Sequence, residues 1–307
     1  LPEKFVGSLP AAPHLVEIYK RWQFMYQSFY DCLNLRSLSL EDNQIEIDNT
    51  DVTNISDVSF DNLSEHLRLS INTWLNSTEF LNIELKLRSA LSPSEEIQVV
   101  IETSDLWLRR IPWCWWDFLD DYPQAEIALF RTEYKRTNIF PQSRLIKNQV
   151  RILAILGNSI GIDLEAEKTF LQNLQDSEVK FLVQPSRQEL NRYLWESQGW
   201  DVLFFAGHSL TDDEAGKIYI NENKTNNSLT LEQLEEALKA AIENGLKLAI
   251  FNSCDGLGLA SVLEKLNIPA IILMREPVSN LVAQVFFKFF LEFFEVERNS
   301  LFISFKK

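Results

Sequence analysis

A chain of 307 residues, 46% hydrophobic and 12% aromatic, buries a large core and is too apolar for wholesale disorder. Its length alone predicts about two domains. A net charge of −15 and a pI near 4.7 exclude a general phosphate-backbone binder, which needs clustered Lys and Arg to displace counterions. No nucleic-acid partner is expected. The three cysteines, Cys32, Cys114 and Cys254, show neither CxxC nor zinc-knuckle spacing, which fits a reducing compartment and a cytoplasmic location. The sequence opens on Leu1 rather than methionine, as a fragment or processed chain does, and shows no secretory pattern as it stands. The densest apolar run, 281–294, is interrupted by Gln284, Lys288 and Glu292 and is shorter than the ~20 residues of a membrane span. No membrane association is expected.

Leu15, Ile18, Tyr19, Trp22, Met25, Tyr26 and Phe29 recur at three- and four-residue steps, which predicts an amphipathic helix over 13–35. A hairpin and loop are expected around Ile45, Ile47 and Val52. Two further helices are expected over 61–75 and 77–91, closed by Ser92-Pro-Ser94. Strands follow at 96–103 and 125–130. Between them lie Trp107, Trp113, Trp115 and Trp116, a density that invites a base-stacking platform. The missing basic interleaving makes an aromatic packing cluster the better reading.

After a polar stretch over 137–149 the chain alternates strand and helix. Strands are expected at 151–156, 179–183, 201–206, 246–251 and 270–274, with helices at 164–174, 187–196, 231–244, 257–266 and 279–294. Ser186-x-x-Glu189 and Thr230-x-x-Gln233 read as capping boxes, and Gly245 sits at a helix C-cap. This alternation predicts a mostly parallel, doubly wound α/β sheet with helices on both faces. The expected partition is a mainly helical segment over 1–94 and an α/β domain over 95–307, with its core at 150–295. The stretch 216–228 breaks the rhythm with a small strand at 217–220 and a polar loop.

Several activities of doubly wound domains lack their motifs here. The loop after the first core strand, Leu156-Gly-Asn-Ser-Ile-Gly161, has neither GxGxxG nor GxxxxGK[ST]. The third core strand does not end on a receiver-type aspartate, and no G-x-S-x-G occurs. What the strands do deliver is Gly207-His208-Ser209 after one apolar run and Asn252-Ser-Cys254-Asp-Gly256 after the next. Side by side and parallel, those runs bring an imidazole and a thiol to one sheet edge, where open α/β folds place their sites. A thiol of ordinary pKa near 8.5 needs an imidazole or a helix N-terminus beside it to become a thiolate near neutral pH. The order and the gap of 46 residues also approach the ~50 that separate histidine and cysteine in caspases. His14 and His66 read as structural.

Ala206-Gly-His208-Ser and Asn252-Ser-Cys254-Asp-Gly256, with Ile111-Pro-Trp113 upstream and Arg275-Glu-Pro-Val278 downstream, resemble the CHAT family, closest to its cyanobacterial members. The family comprises caspase-like domains of the cysteine-peptidase clan that includes caspases, metacaspases and separase. The resemblance implies a caspase-like doubly wound fold and hydrolysis of peptide bonds, with His208 as general base and Cys254 as nucleophile. It further implies an oxyanion hole from the backbone N–H groups of Ser209 and Cys254, Ser209 standing where many relatives carry glycine. Asn252 stands where metacaspases, which cut after basic residues, have aspartate, so basic specificity is not implied. Asn158, Asp163, Asn252 and Asp255 are the substrate-side candidates. The chemistry requires no cofactor or metal, and Asp212-Asp-Glu214 reads as a solvated acidic loop. The partners implied are a protein or peptide substrate and signalling proteins. A module that keeps the fold and binds a partner without turnover is the alternative function class.

Overall fold

Helices form near the N-terminus where apolar residues recur at helical spacing, and strands form where they run together. The computed structural model describes residues 5–41, 57–103, 105–130, 149–159, 164–212, 215–223, 225–253, 259–260, 263, 265–266, 268–274, 276, 278 and 280–296. The chain divides into two compact units, 1–132 and 133–307.

The first unit holds helices α1 (Pro13–Glu41), α2 (Asp57–Leu75) and α3 (Thr78–Ala90), then strand β1 (Ile97–Glu102), short helices α4 (Leu106–Arg110) and α5 (Phe118–Asp121), and strand β2 (Ala125–Phe130). The helix expected over 13–35 continues to Glu41. The hairpin expected around Ile45 lies outside the described residues. β1 and β2 pair in parallel as a two-stranded sheet of their own.

Leu15, Ile18 and Tyr19 of α1 and Leu67, Ile71 and Leu75 of α2 are buried in one core with Trp113, Trp116 and Phe118. The tryptophans are therefore packing elements. Their indole N–H groups find partners as buried tryptophan requires, Trp113 donating to Leu108 O (2.7 Å) and Trp116 to Glu84 Oε2 (3.3 Å). Asn72 fixes this cluster from α2, donating to Trp115 O (2.8 Å) and accepting from Asp117 N–H (2.9 Å). His14 and His66 meet edge-on with ring centroids 6.4 Å apart.

The second unit is built on β3 (Val150–Leu156), α6 (Glu165–Gln172), β4 (Ser177–Val183), α7 (Arg187–Leu194) and β5 (Val202–Ala206). It continues through β6 (Ser209–Asp212), β7 (Ala215–Tyr219), β8 (Ser228–Thr230), α8 (Glu235–Glu243), β9 (Leu248–Asn252), β10 (Ala270–Leu273) and α9 (Asn280–Val296). The five-stranded sheet has the order β10-β9-β5-β3-β4 and every pair in it is parallel. β3 is buried along its whole length, as the predicted uninterrupted apolar run requires.

Alternate residues of each strand feed two cores. Leu203, Phe205, Ala249 and Phe251 pack with Leu190, Leu194, Leu238 and Ala241 on one face. Val202, Phe204, Leu248 and Ile250 pack with Leu171, Ala283, Phe287 and Phe290 on the other. α6 and α9 thus cover one face and α7 and α8 the opposite one, which is the predicted double winding.

The chain departs from the expected simple loop after β5. Segments 209–212, 215–219 and 228–230 form a three-stranded antiparallel sheet, β6-β7-β8, where only a small strand at 217–220 was expected. Thr230 N–H donates to Gln233 Oε1 (3.2 Å), and Ser186 Oγ accepts from Glu189 N–H (3.2 Å), at the two predicted helix starts. Gly245 takes φ +104° just past α8, as a C-cap glycine does.

Candidate active site

The sheet order sets where a site can lie. Numbered by appearance, its five strands run 2-1-3-4-5, and the direction of winding reverses between β3 and β5. The loops leaving those strands diverge to opposite faces and open a crevice at their carboxyl ends, the recurrent ligand position of doubly wound folds. Residues 157–159 leave one side of that reversal point and 207–209 the other.

β5 and β9 are neighbours in register, with Ala206 opposite Asn252. One further rung follows the strand ends, Gly207 N–H donating to Asn252 O at 3.3 Å. His208 and Cys254 each lie two residues beyond the last register pair. Cys254, Asp255 and Asp163 are outside the described residues.

The turn that carries His208 is pinned from several sides. Gly207 adopts φ +149°, a conformation side-chain-bearing residues rarely take, and a Cβ there would lie 3.2 Å from Asn158 O and 3.3 Å from the Phe205 ring. His208 O accepts from Tyr219 N–H (3.0 Å), and Tyr219 O accepts from Asn158 N–H (2.9 Å). Tyr219 on β7 therefore stitches the β3 and β5 loops together. The approach is close enough that a Cβ at Gly157 would fall 2.3 Å from Tyr219 O.

Ser209 faces Ile218 at the start of the β6–β7 ladder. The rung from Tyr219 N–H to His208 O lies one residue outside that pair, so Ser209 and Ile218 form the non-hydrogen-bonded type, which does not use the Ser209 N–H. His208 and Ser209 are both half-buried, as is Asn158. The structure thus brings Asn158, His208, Ser209 and Asn252 to the carboxyl edge of adjacent strands.

Two carboxylates of this edge were not singled out from the sequence. Glu222, beyond β7, accepts from Ser159 Oγ (2.9 Å) and Gln184 Nε2 (2.8 Å), tying the β6–β8 sheet to the loops after β3 and β4. Glu167, in the first turn of α6, is 0% exposed. Its Oε1 accepts from Asn252 Nδ2 (3.2 Å) and its Oε2 from Gln284 Nε2 of α9 (3.3 Å). A signal for Glu167 exists in the sequence, because 164, 167 and 171 share the core face of α6 and the middle position is charged.

A parallel sheet of this order, clothed on both faces and carrying His208 past one central strand, is consistent with a caspase-like α/β domain. The family model described as CHAT domain matches residues 82–299, and the chain belongs to that family, which is related to the caspase-like peptidases. None of the curated proteins matches the chain significantly. Among the described residues, no helix is long and apolar enough to cross a membrane.

Proposed function

We propose that this protein is a caspase-like cysteine endopeptidase in which Cys254 is the nucleophile and His208 its base. The observation that carries the reading is the parallel, in-register pairing of β5 with β9, which ends on Ala206 opposite Asn252 two residues before each reactive side chain. The family membership of the chain supports the same class of chemistry.

In the proposed reaction His208 takes the thiol proton of Cys254, and the thiolate attacks the scissile carbonyl to form a C–S bond. The negative charge that develops on the carbonyl oxygen is met by the backbone N–H groups of Ser209 and Cys254. The tetrahedral intermediate collapses with cleavage of the C–N bond, and the imidazolium of His208 gives its proton to the leaving amine. Water, deprotonated by the now neutral His208, then hydrolyses the thioester and returns Cys254 as the thiol. Asn158, Asp163, Asn252 and Asp255 are proposed to face the substrate, a protein or peptide. No step calls on a cofactor.

A peptide carrying a cysteine-reactive warhead tests the nucleophile. Wild-type protein becomes labelled on Cys254 and Cys254→Ala does not. Equal labelling of both proteins contradicts the proposal.

A further inference from the structure

Glu167 is a fully buried carboxylate whose Oε1 bonds Asn252 at the end of β9, two residues before Cys254. Its neighbourhood is rich in apolar side chains. Leu171 of the same helix, Leu248 and Ile250 of β9, and Ala283 and Phe287 of α9 line this face of the sheet. Burying an ionisable group there is costly unless hydrogen bonds compensate, so the carboxylate persists where its bonds specify a geometry. Those bonds are informative. The two oxygens of Glu167 take one amide each, Oε1 accepting from Asn252 Nδ2 (3.2 Å) and Oε2 from Gln284 Nε2 (3.3 Å). Asn252 is simultaneously held through its backbone, its O accepting from Gly207 N–H at 3.3 Å. Among the described residues that rung is the last between β5 and β9, it is long for an N–H···O bond, and it stands immediately before His208 on one side and Ser253-Cys254 on the other.

We infer that Glu167 is a positioning residue, which through Asn252 holds the end of β9 against Gly207 and so sets the His208 turn relative to the start of the segment that carries Cys254. The inference rests on the His208–Cys254 reading. Without the side-chain anchor on α6, the end of β9 is held to the His208 turn by a long terminal rung. The proposed proton transfer from the Cys254 thiol to the His208 imidazole then loses support, since thiolate formation depends on a neighbouring base. The polarity of the anchor is reversible in principle. In Glu167→Gln/Asn252→Asp, the new amide at 167 donates to the new carboxylate at 252 and still accepts from Gln284, so the connection is restored with donor and acceptor exchanged.

The test is the pH dependence of Cys254 alkylation by iodoacetamide, followed by intact mass in a Cys32→Ser/Cys114→Ser background. Wild type is expected to alkylate with a midpoint below the ordinary thiol value of about 8.5. His208→Ala raises that midpoint. Glu167→Leu and Asn252→Asp each raise it as well, slowing alkylation at neutral pH by about tenfold for every pH unit that the midpoint rises, and the double exchange returns it to the wild-type position. A purely structural role would lower the melting temperature without moving the midpoint. If Glu167→Leu does not fold, Asn252→Asp against the double exchange carries the comparison. A midpoint moved by His208→Ala but unmoved by Glu167→Leu and Asn252→Asp overturns the positioning role and leaves the dyad standing. A midpoint that His208→Ala does not move overturns the dyad, and the positioning role with it.

Discussion

Gly207 is the residue at which backbone conformation, packing and the site converge. Its φ of +149° strains any side chain, and a Cβ there would lie 3.2–3.3 Å from Asn158 O, Gly157 Cα and the Phe205 ring, so those neighbours would have to give by a few tenths of an ångström. Gly207→Ala is expected to cost about 1–3 kcal/mol, measured by urea denaturation. The same substitution displaces the N–H that reaches Asn252 O. An alanine as stable as wild type contradicts the close packing described for this turn. His208 itself was legible in the sequence, because an apolar run ending in glycine and histidine can be read locally. Glu167 was not chosen, because what matters about it is its contact with Asn252 and Gln284, 85 and 117 residues away in sequence. Only its place on the apolar stripe of α6 hinted at a special role.

At the level of elements, most of the core strands announce themselves by uninterrupted apolar runs, and their helices by capping residues and periodicity. The sheet β6-β7-β8 did not. Its strands are short and partly polar, and their pairing is set by Tyr219 bridging the β3 and β5 loops rather than by a local pattern. The opposite, amino-terminal edge of the main sheet is held by a different device. Arg151 on β3 is 4% exposed and donates to Glu178 (2.9 Å), Glu196 (3.0 Å) and Gly199 O, with its guanidinium 4.2 Å above the Trp200 ring. Burial lowers its pKa, but the hydrogen bonds and charges of Glu178 and Glu196 outweigh burial and raise it above the ordinary arginine value. A cation with a raised folded-state pKa contributes fully below its unfolded value. That contribution is lost only as pH rises through the raised value, beyond the arginine range, so the clamp keeps its charge at any working pH. Arg151→Leu leaves Gly199 O and Glu196 without this donor and is expected to destabilise the fold by about 2–4 kcal/mol in chemical denaturation. A change below ~0.5 kcal/mol would show the cluster to be incidental.

Across the whole molecule, the first unit owns a hydrophobic core organised by tryptophans and the second owns two, one on each face of its parallel sheet. Length and β/α alternation anticipated the sheet. The pairing of β1 with β2 apart from that sheet was not anticipated, since nothing in an isolated apolar run states which sheet it will join. The acidic balance of −15 argues against a general phosphate-backbone binder at the scale of the whole chain. The most direct measurement is cleavage of a diverse peptide library by wild type, Cys254→Ala and His208→Ala, read by mass spectrometry of the new termini. Wild type is expected to cut a defined subset, and both variants to lose at least about a hundredfold of the rate. A library left intact by wild type, or cut equally well by Cys254→Ala, would contradict it.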